Sequence, residues 1–120
     1  MNMGANQAFP MFLHFLAGVF GALGQYFYKK GGLKIGAAPV WGNWELAVGV
    51  LAFCLVMVLF VISYKLGGRI SAVYPAYATT FVWGALLGHF LDREPLSLPI
   101  YAGIALILAG VACIGFGAAR

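Results

Sequence analysis

Charge is scarce in this chain. Only 8% of its 120 residues are charged, and three are acidic: Glu45, Asp92 and Glu94. A soluble domain carries about 25% charged residues, so this composition does not encode a water-soluble fold. None of the three acids falls in the middle of an apolar run, which leaves no carboxylate pair there for acid–base catalysis. No Ser/His/Asp or Cys/His set has useful spacing, no glycine-rich loop is built to cradle a phosphate, and no cluster has metal-ligand spacing. These absences argue against an enzyme and require neither metal nor cofactor. Cysteine is nearly absent too. Cys54 and Cys113 lie inside apolar runs and read as small packing residues. Met1 to Phe9 carries no charged side chain, so a cleaved signal peptide is the weaker reading of the first run.

What fills the chain is hydrocarbon: 63% of residues are hydrophobic and the mean hydropathy is +0.96. At roughly 20 apolar residues per crossing, the length suits an all-α membrane protein of four transmembrane helices with no room for a soluble domain. The runs predict helices over about 9–28, 45–64, 70–91 and 99–117. Pro10 is tolerated in the first turn, and Lys29-Lys30-Gly31-Gly32 ends the first helix. Trp41 and Trp44 mark the headgroup layer before the second helix, which has no charge after its first turn and is expected to be the most lipid-exposed. Pro75 is expected to kink the third. The fourth carries Gly103, Gly110 and Gly117 a heptad apart, beside Ala102, Ala105, Ala109 and Ala112, the pattern of a close-packed dimer seam.

The basic residues lie between or after the apolar runs, where they suit lipid headgroups or an anionic substrate and not a nucleic-acid groove. Lys65, Arg69 and Arg120 fall on one side of the membrane, and Lys29, Lys30, Lys34 and Arg93 on the other. Three against four is almost no bias, so insertion in both orientations is compatible with the sequence.

Two polar stripes organise the helices. His14, Gly18, Gly21, Gln25 and Tyr28 recur at steps of four, three, four and three, and so share one face of the first helix. Tyr74, Tyr77, Phe81, Gly84 and Gly88 repeat the device in the third at three, four, three and four. The stripes are expected to meet other helices or to line a path between them. Gln25, a primary amide in an apolar helix, must find partners, either a substrate or a neighbouring helix. Lys29 lies one turn beyond it, at the membrane face of the same cavity, or else it snorkels to headgroups. His14 and His89 read first as headgroup-level histidines with local hydrogen bonds. Tyr74-Pro75 is either a kink with an aromatic beside it or a wall of the path, and Glu94 is a solvated turn residue or helix cap.

Four short helices in this length resemble the small multidrug resistance branch of the drug/metabolite transporter superfamily. Leu16-Ala17-Gly18-Val19 is similar to that branch's first-helix motif, but the branch has a glutamate where this chain has Gly18. That acid is the proton and cation site of the drug exporters, so its absence argues against proton-coupled export of cationic drugs. A nearer resemblance is to the small flippase subunits that move aminoarabinose-phosphoundecaprenol across the bacterial inner membrane. It rests on Gly24-Gln25 with Lys29, on Tyr74-Pro75, on Phe81-Val82-Trp83 and on Glu94-Pro95. The longer first connection with Trp41 and Trp44 departs from that pattern.

The resemblance implies a multi-pass protein of the bacterial inner membrane, paired with a second copy or a similar small subunit. It also implies a polyprenyl-phosphate lipid or lipid-linked sugar as substrate. Gln25, Tyr28, Tyr74, Pro75, Tyr77 and Trp83 then become candidate head-group contacts, with Glu94 beside them. Lys29 or Arg69 would meet the phosphate. His14, Gly18, Gly21 and Phe81 would line the cavity. A multidrug-type exporter of small organic molecules is the second reading, and a non-transporting subunit that stabilises a partner complex is the third.

Overall fold

The computed structural model describes residues 6–37 and 39–118. Its helices are α1 (Ala8–Leu33), α2 (Trp44–Lys65), α3 (Ile70–Val73), α4 (Thr80–Asp92) and α5 (Leu98–Ala118). A 3-10 segment, Tyr74–Thr79, joins α3 to α4, and a short 3-10 turn, Val40–Gly42, precedes α2. The run α3 to α4 counts as one span, so four helical stretches are long and apolar enough to cross a membrane. Arg120, the third basic residue assigned to one side, lies outside the described residues.

The ends of the helices explain their bounds. At the start of α1, Asn6 Oδ1 accepts the Ala8 N–H at 2.8 Å. Gln7 reaches across to the turn after α2, donating to Gly67 O at 3.1 Å and accepting from the Arg69 N–H at 2.8 Å. At the far end α1 runs through Lys29-Lys30-Gly31-Gly32 to Leu33, past the stop expected from those residues. Two contacts hold that extra turn. Asn43 caps α2 by accepting the Leu46 N–H at 3.3 Å while its amide donates to Gly31 O at 2.8 Å. A Cβ on Gly31 would lie 2.6 Å from Leu46 Cγ, so only glycine lets the two helices meet there.

Helices α1 and α2 are packed along their length, and glycine sets the spacing. A Cβ on Gly24 would lie 2.7 Å from the Phe53 ring, and one on Gly49 would lie 2.5 Å from Tyr28. In lipid, where burying apolar surface gains little, such close approach is a main source of helix association. The second helix is therefore not the most lipid-exposed. That position belongs to α5, none of whose described residues is buried.

Pro75 changes more than the helix direction. It lacks an N–H and its ring crowds the preceding turn, and the chain from Tyr74 to Thr79 tightens to 3-10 geometry. Within it the buried Thr79 hydroxyl donates to Ala76 O at 2.9 Å, so its own donor is satisfied inside the apolar span. This segment presses backbone to backbone against α1. A Cβ on Gly18 would lie 3.2 Å from the Thr80 nitrogen and 3.1 Å from Thr79 Oγ1.

Candidate functional site

Beyond Gly18 and Gly21 the first helix and α4 part, leaving a groove between them. Two adjoining cavities make it up. One, of about 340 Å³, is lined by Ala22, Gln25, Tyr77, Thr80, Phe81 and Gly84. The other, of about 140 Å³, shares Ala22, Gln25 and Gly84 and continues to Lys29, Gly88, Asp92 and Glu94. Gln25 thus stands where they meet. The helical period puts Ala22 and Gln25 on one face, and Phe81, Gly84 and Gly88 on the facing one.

At the mouth of the groove lies a charged cluster. Lys29 Nζ is 2.8 Å from Asp92 Oδ2 and 2.5 Å from Glu94 Oε2, and Lys30 Nζ is 2.7 Å from Asp92 Oδ1. Lys30 also sits over the Tyr26 ring, 5.3 Å from its centroid. The Asp92 side chain is 9% exposed, whereas that of Glu94 is 51% exposed. Lys34 pairs separately with Glu45, away from the groove. All three acids of the chain therefore lie on one side of the membrane, each held by a lysine from the end of α1 or just past it.

The groove gathers Gln25, Lys29, Tyr77, Phe81 and Glu94 from the sequence candidates, but not the others. Tyr28 stacks on Phe53 of α2 with centroids 5.1 Å apart, over Gly49, where a Cβ would lie 2.5 Å from its ring. Tyr74 turns its edge to Phe60 at 6.4 Å, the ring that Tyr77 meets at 5.0 Å, and is otherwise exposed outside the groove. Pro75 opens that segment. Trp83 packs edge-on against Phe15 at 5.8 Å, and its indole N–H is buried with no hydrogen-bond partner among the described residues. Arg69 lies at the other membrane face, where its guanidinium donates to Ala118 O at 3.2 Å. The two phosphate candidates, Lys29 and Arg69, are thus at opposite ends of the protein.

His14 does not line either cavity. It is fully buried between α1 and α2, stacked on Phe60 at 4.5 Å, with Nδ1 3.0 Å from Ser63 Oγ. The Ser63 hydroxyl donates to Pro10 O at 3.0 Å. Its one proton is thereby committed, so His14 Nδ1 carries the hydrogen it donates. Gly18 and Gly21 are contact points rather than lining: a Cβ on Gly21 would overlap the Tyr77 hydroxyl. His89 bonds locally, its Nδ1 2.9 Å from Glu94 O. Gly103, Gly110 and Gly117 of α5 have open space around the Cβ position among the described residues, so the seam faces outward, uncovered.

Sequence reasoning missed Thr80, Tyr26 and Asp92. The first two sit one position from a stripe residue. Asp92 was legible only as a charge on the same side as Lys29 and Lys30, 62 residues from its partner Lys30.

A comparison with known proteins decides the class. The chain is 28% identical over 92 residues to a probable 4-amino-4-deoxy-L-arabinose-phosphoundecaprenol flippase subunit ArnE of Enterobacter sp. (strain 638), covering 77% of this chain and 83% of that one. The proteins of the same name from Escherichia fergusonii and Sodalis glossinidius are 30% identical over 70 residues and 41% over 46. Those matches span 62% and 41% of the relatives' own lengths. The relatives it matches are named as probable flippase subunits. The chain is accordingly a multi-pass bacterial membrane protein of transporter type and not an enzyme. No protein-family model matches it, and no solved structure does.

Proposed function

We propose that this flippase-subunit relative is one protomer of a transporter that carries a polyprenyl-phosphate-linked sugar, of the aminoarabinose-phosphoundecaprenol kind, across the bacterial inner membrane. The observation that carries the reading is the groove itself. A lipid-linked sugar needs a polar path for its head beside an opening to lipid for its tail. The Gln25 amide, the Tyr77 and Thr80 hydroxyls and the Lys29 ammonium lie along one groove between α1 and α4. Amide and hydroxyls suit sugar hydroxyls, and the lysine suits the phosphate. Phe81, exposed at the rim, offers an apolar edge to the polyprenyl chain.

A second protomer completes the path, either another copy or a similar small subunit. The bare small-residue face of α5 and its sparse contacts within this chain supply the surface for it. The multidrug-exporter reading is weakened at Gly18. The space a glutamate side chain would need there is filled by Thr79 and the backbone of Thr80.

Native mass spectrometry of gently extracted protein tests the proposal. A bound species with the mass of a polyprenyl-phosphate lipid, lost in Gln25→Ala and Lys29→Ala variants that still express, is the expected result. Protein that carries only bulk phospholipid, equally in all variants, refutes it.

A further inference from the structure

The ion pairs at the groove mouth are not equivalent. Asp92 is held by two cations, Lys29 at 2.8 Å and Lys30 at 2.7 Å. Glu94 is held by one, Lys29 at 2.5 Å, among the described residues. Lys30 is further fixed by the Tyr26 ring. An anion that takes Lys29 therefore leaves Asp92 paired with Lys30 but leaves Glu94 without a cation.

The backbone is built to hold Glu94 in place while its carboxylate turns. Arg93 adopts a left-handed conformation, φ 57°, that reverses the chain after α4. The Glu94 N–H then donates to Gly88 O at 3.0 Å, and the Glu94 carbonyl meets His89 Nδ1 at 2.9 Å. Gly88 has no side chain, and a Cβ there would overlap Glu94 Oε1, so the carboxylate lies flat over α4 at the end of the 140 Å³ cavity. Half of the side chain is open to solvent, which leaves it room to swing.

We infer that the Lys29–Glu94 pair is an exchangeable lock that selects a zwitterionic head group: Lys29 passes to the lipid phosphate while Glu94 passes to a protonated amine on the sugar. The two pairs Lys29 makes, with Glu94 and Asp92, give way to two between protein and ligand, and because Asp92 keeps Lys30 no carboxylate at the groove mouth is left uncompensated. A purely anionic lipid phosphate opens the same pair but strands Glu94 beside its own negative charge. The inference rests on the proposed lipid-phosphate reading and adds to it the residue that reads the amine.

The test is binding to the full chain in lipid nanodiscs, using a polyprenyl phosphate that bears a 4-amino sugar and the same lipid with its amine acetylated. Native protein is expected to prefer the free amine by about tenfold, the scale of one charge-assisted hydrogen bond. Glu94→Gln should abolish the preference and bind the acetylated lipid more tightly than native protein does, because Lys29 is no longer contested. Glu94→Asp, which keeps the charge, should retain a preference. Lys29→Ala should weaken both lipids. Equal affinity of native protein for the two lipids, or a parallel loss of both in Glu94→Gln, overturns the inference and leaves the lipid-phosphate reading standing. Failure of native protein to bind either lipid overturns that reading instead.

Discussion

Gly84 lines the groove and Gly21 sits at the contact beside it, and replacing each by leucine should have opposite consequences. At Gly21 a Cβ would overlap the Tyr77 hydroxyl and lie 3.1 Å from Tyr77 Cζ and 3.3 Å from Thr80 Oγ1. Gly21→Leu must therefore displace the Tyr77 ring or push α1 and the 3-10 segment apart, with an overpacking cost of about 1–3 kcal/mol. At Gly84 a Cβ meets nothing within 4 Å among the described residues, and the position lines both cavities. Gly84→Leu adds four carbons, roughly 100 Å³ or three to four waters' worth of volume, to a groove whose larger part holds about 340 Å³. In the helix interior the same change is favourable by up to about 1 kcal/mol. The expected outcome is a Gly84→Leu protein that unfolds in detergent no earlier than native protein but neither retains the lipid nor moves it in reconstituted vesicles. Gly21→Leu should unfold earlier. A Gly84→Leu protein that transports normally would refute the groove as the path of the head group.

Three further outcomes follow from the geometry. Ser63→Ala leaves the His14 Nδ1–H and the Pro10 carbonyl without their shared partner, and should destabilise the protein by about 1–2 kcal/mol in detergent unfolding, whereas Ser63→Thr keeps the hydroxyl and should lose less. Lys29→Ala should weaken lipid-phosphate binding roughly tenfold or more, and Lys34→Ala, whose lysine is paired with Glu45 outside the groove, should not; equal effects would reduce Lys29 to one headgroup lysine among several. Gly110→Leu should lower dimer yield in detergent crosslinking, and an unchanged yield would move the subunit seam away from α5.

The four spans were legible because hydropathy alone sets them: the second and fourth runs end within one residue of α2 and α5. Two features that depend on partners distant in sequence were not. The extension of α1 past Tyr28 is held by Asn43 and Leu46, and nothing near Lys29-Lys30-Gly31-Gly32 announces them. Tyr28 shares a stripe with Gln25 by period, but the space left by Gly49 seats it beside Phe53 of α2. Pro75 announced a break but not its kind. The 3-10 geometry keeps Tyr74 and Tyr77 in line, both against Phe60 of α2, yet only Tyr77 reaches the groove, which the spacing alone does not tell. The groove was legible where period and composition agreed, at Gln25, Phe81 and Gly84. The ion cluster was not, because pairing across 62 or more residues is a property of the fold.

Photocrosslinking from position 81 tests the central claim most directly. Phe81 lines the larger cavity and is exposed at its rim, so a photoreactive phenylalanine analogue fits there without filling the groove. Val61, on the lipid-facing side of α2, serves as the control. A labelled polyprenyl phosphate should crosslink from position 81 saturably, with excess unlabelled lipid competing, and only non-saturably from position 61. Labelling from position 81 that is no stronger than at 61 and that excess lipid fails to displace would contradict the groove as the lipid-phosphate path.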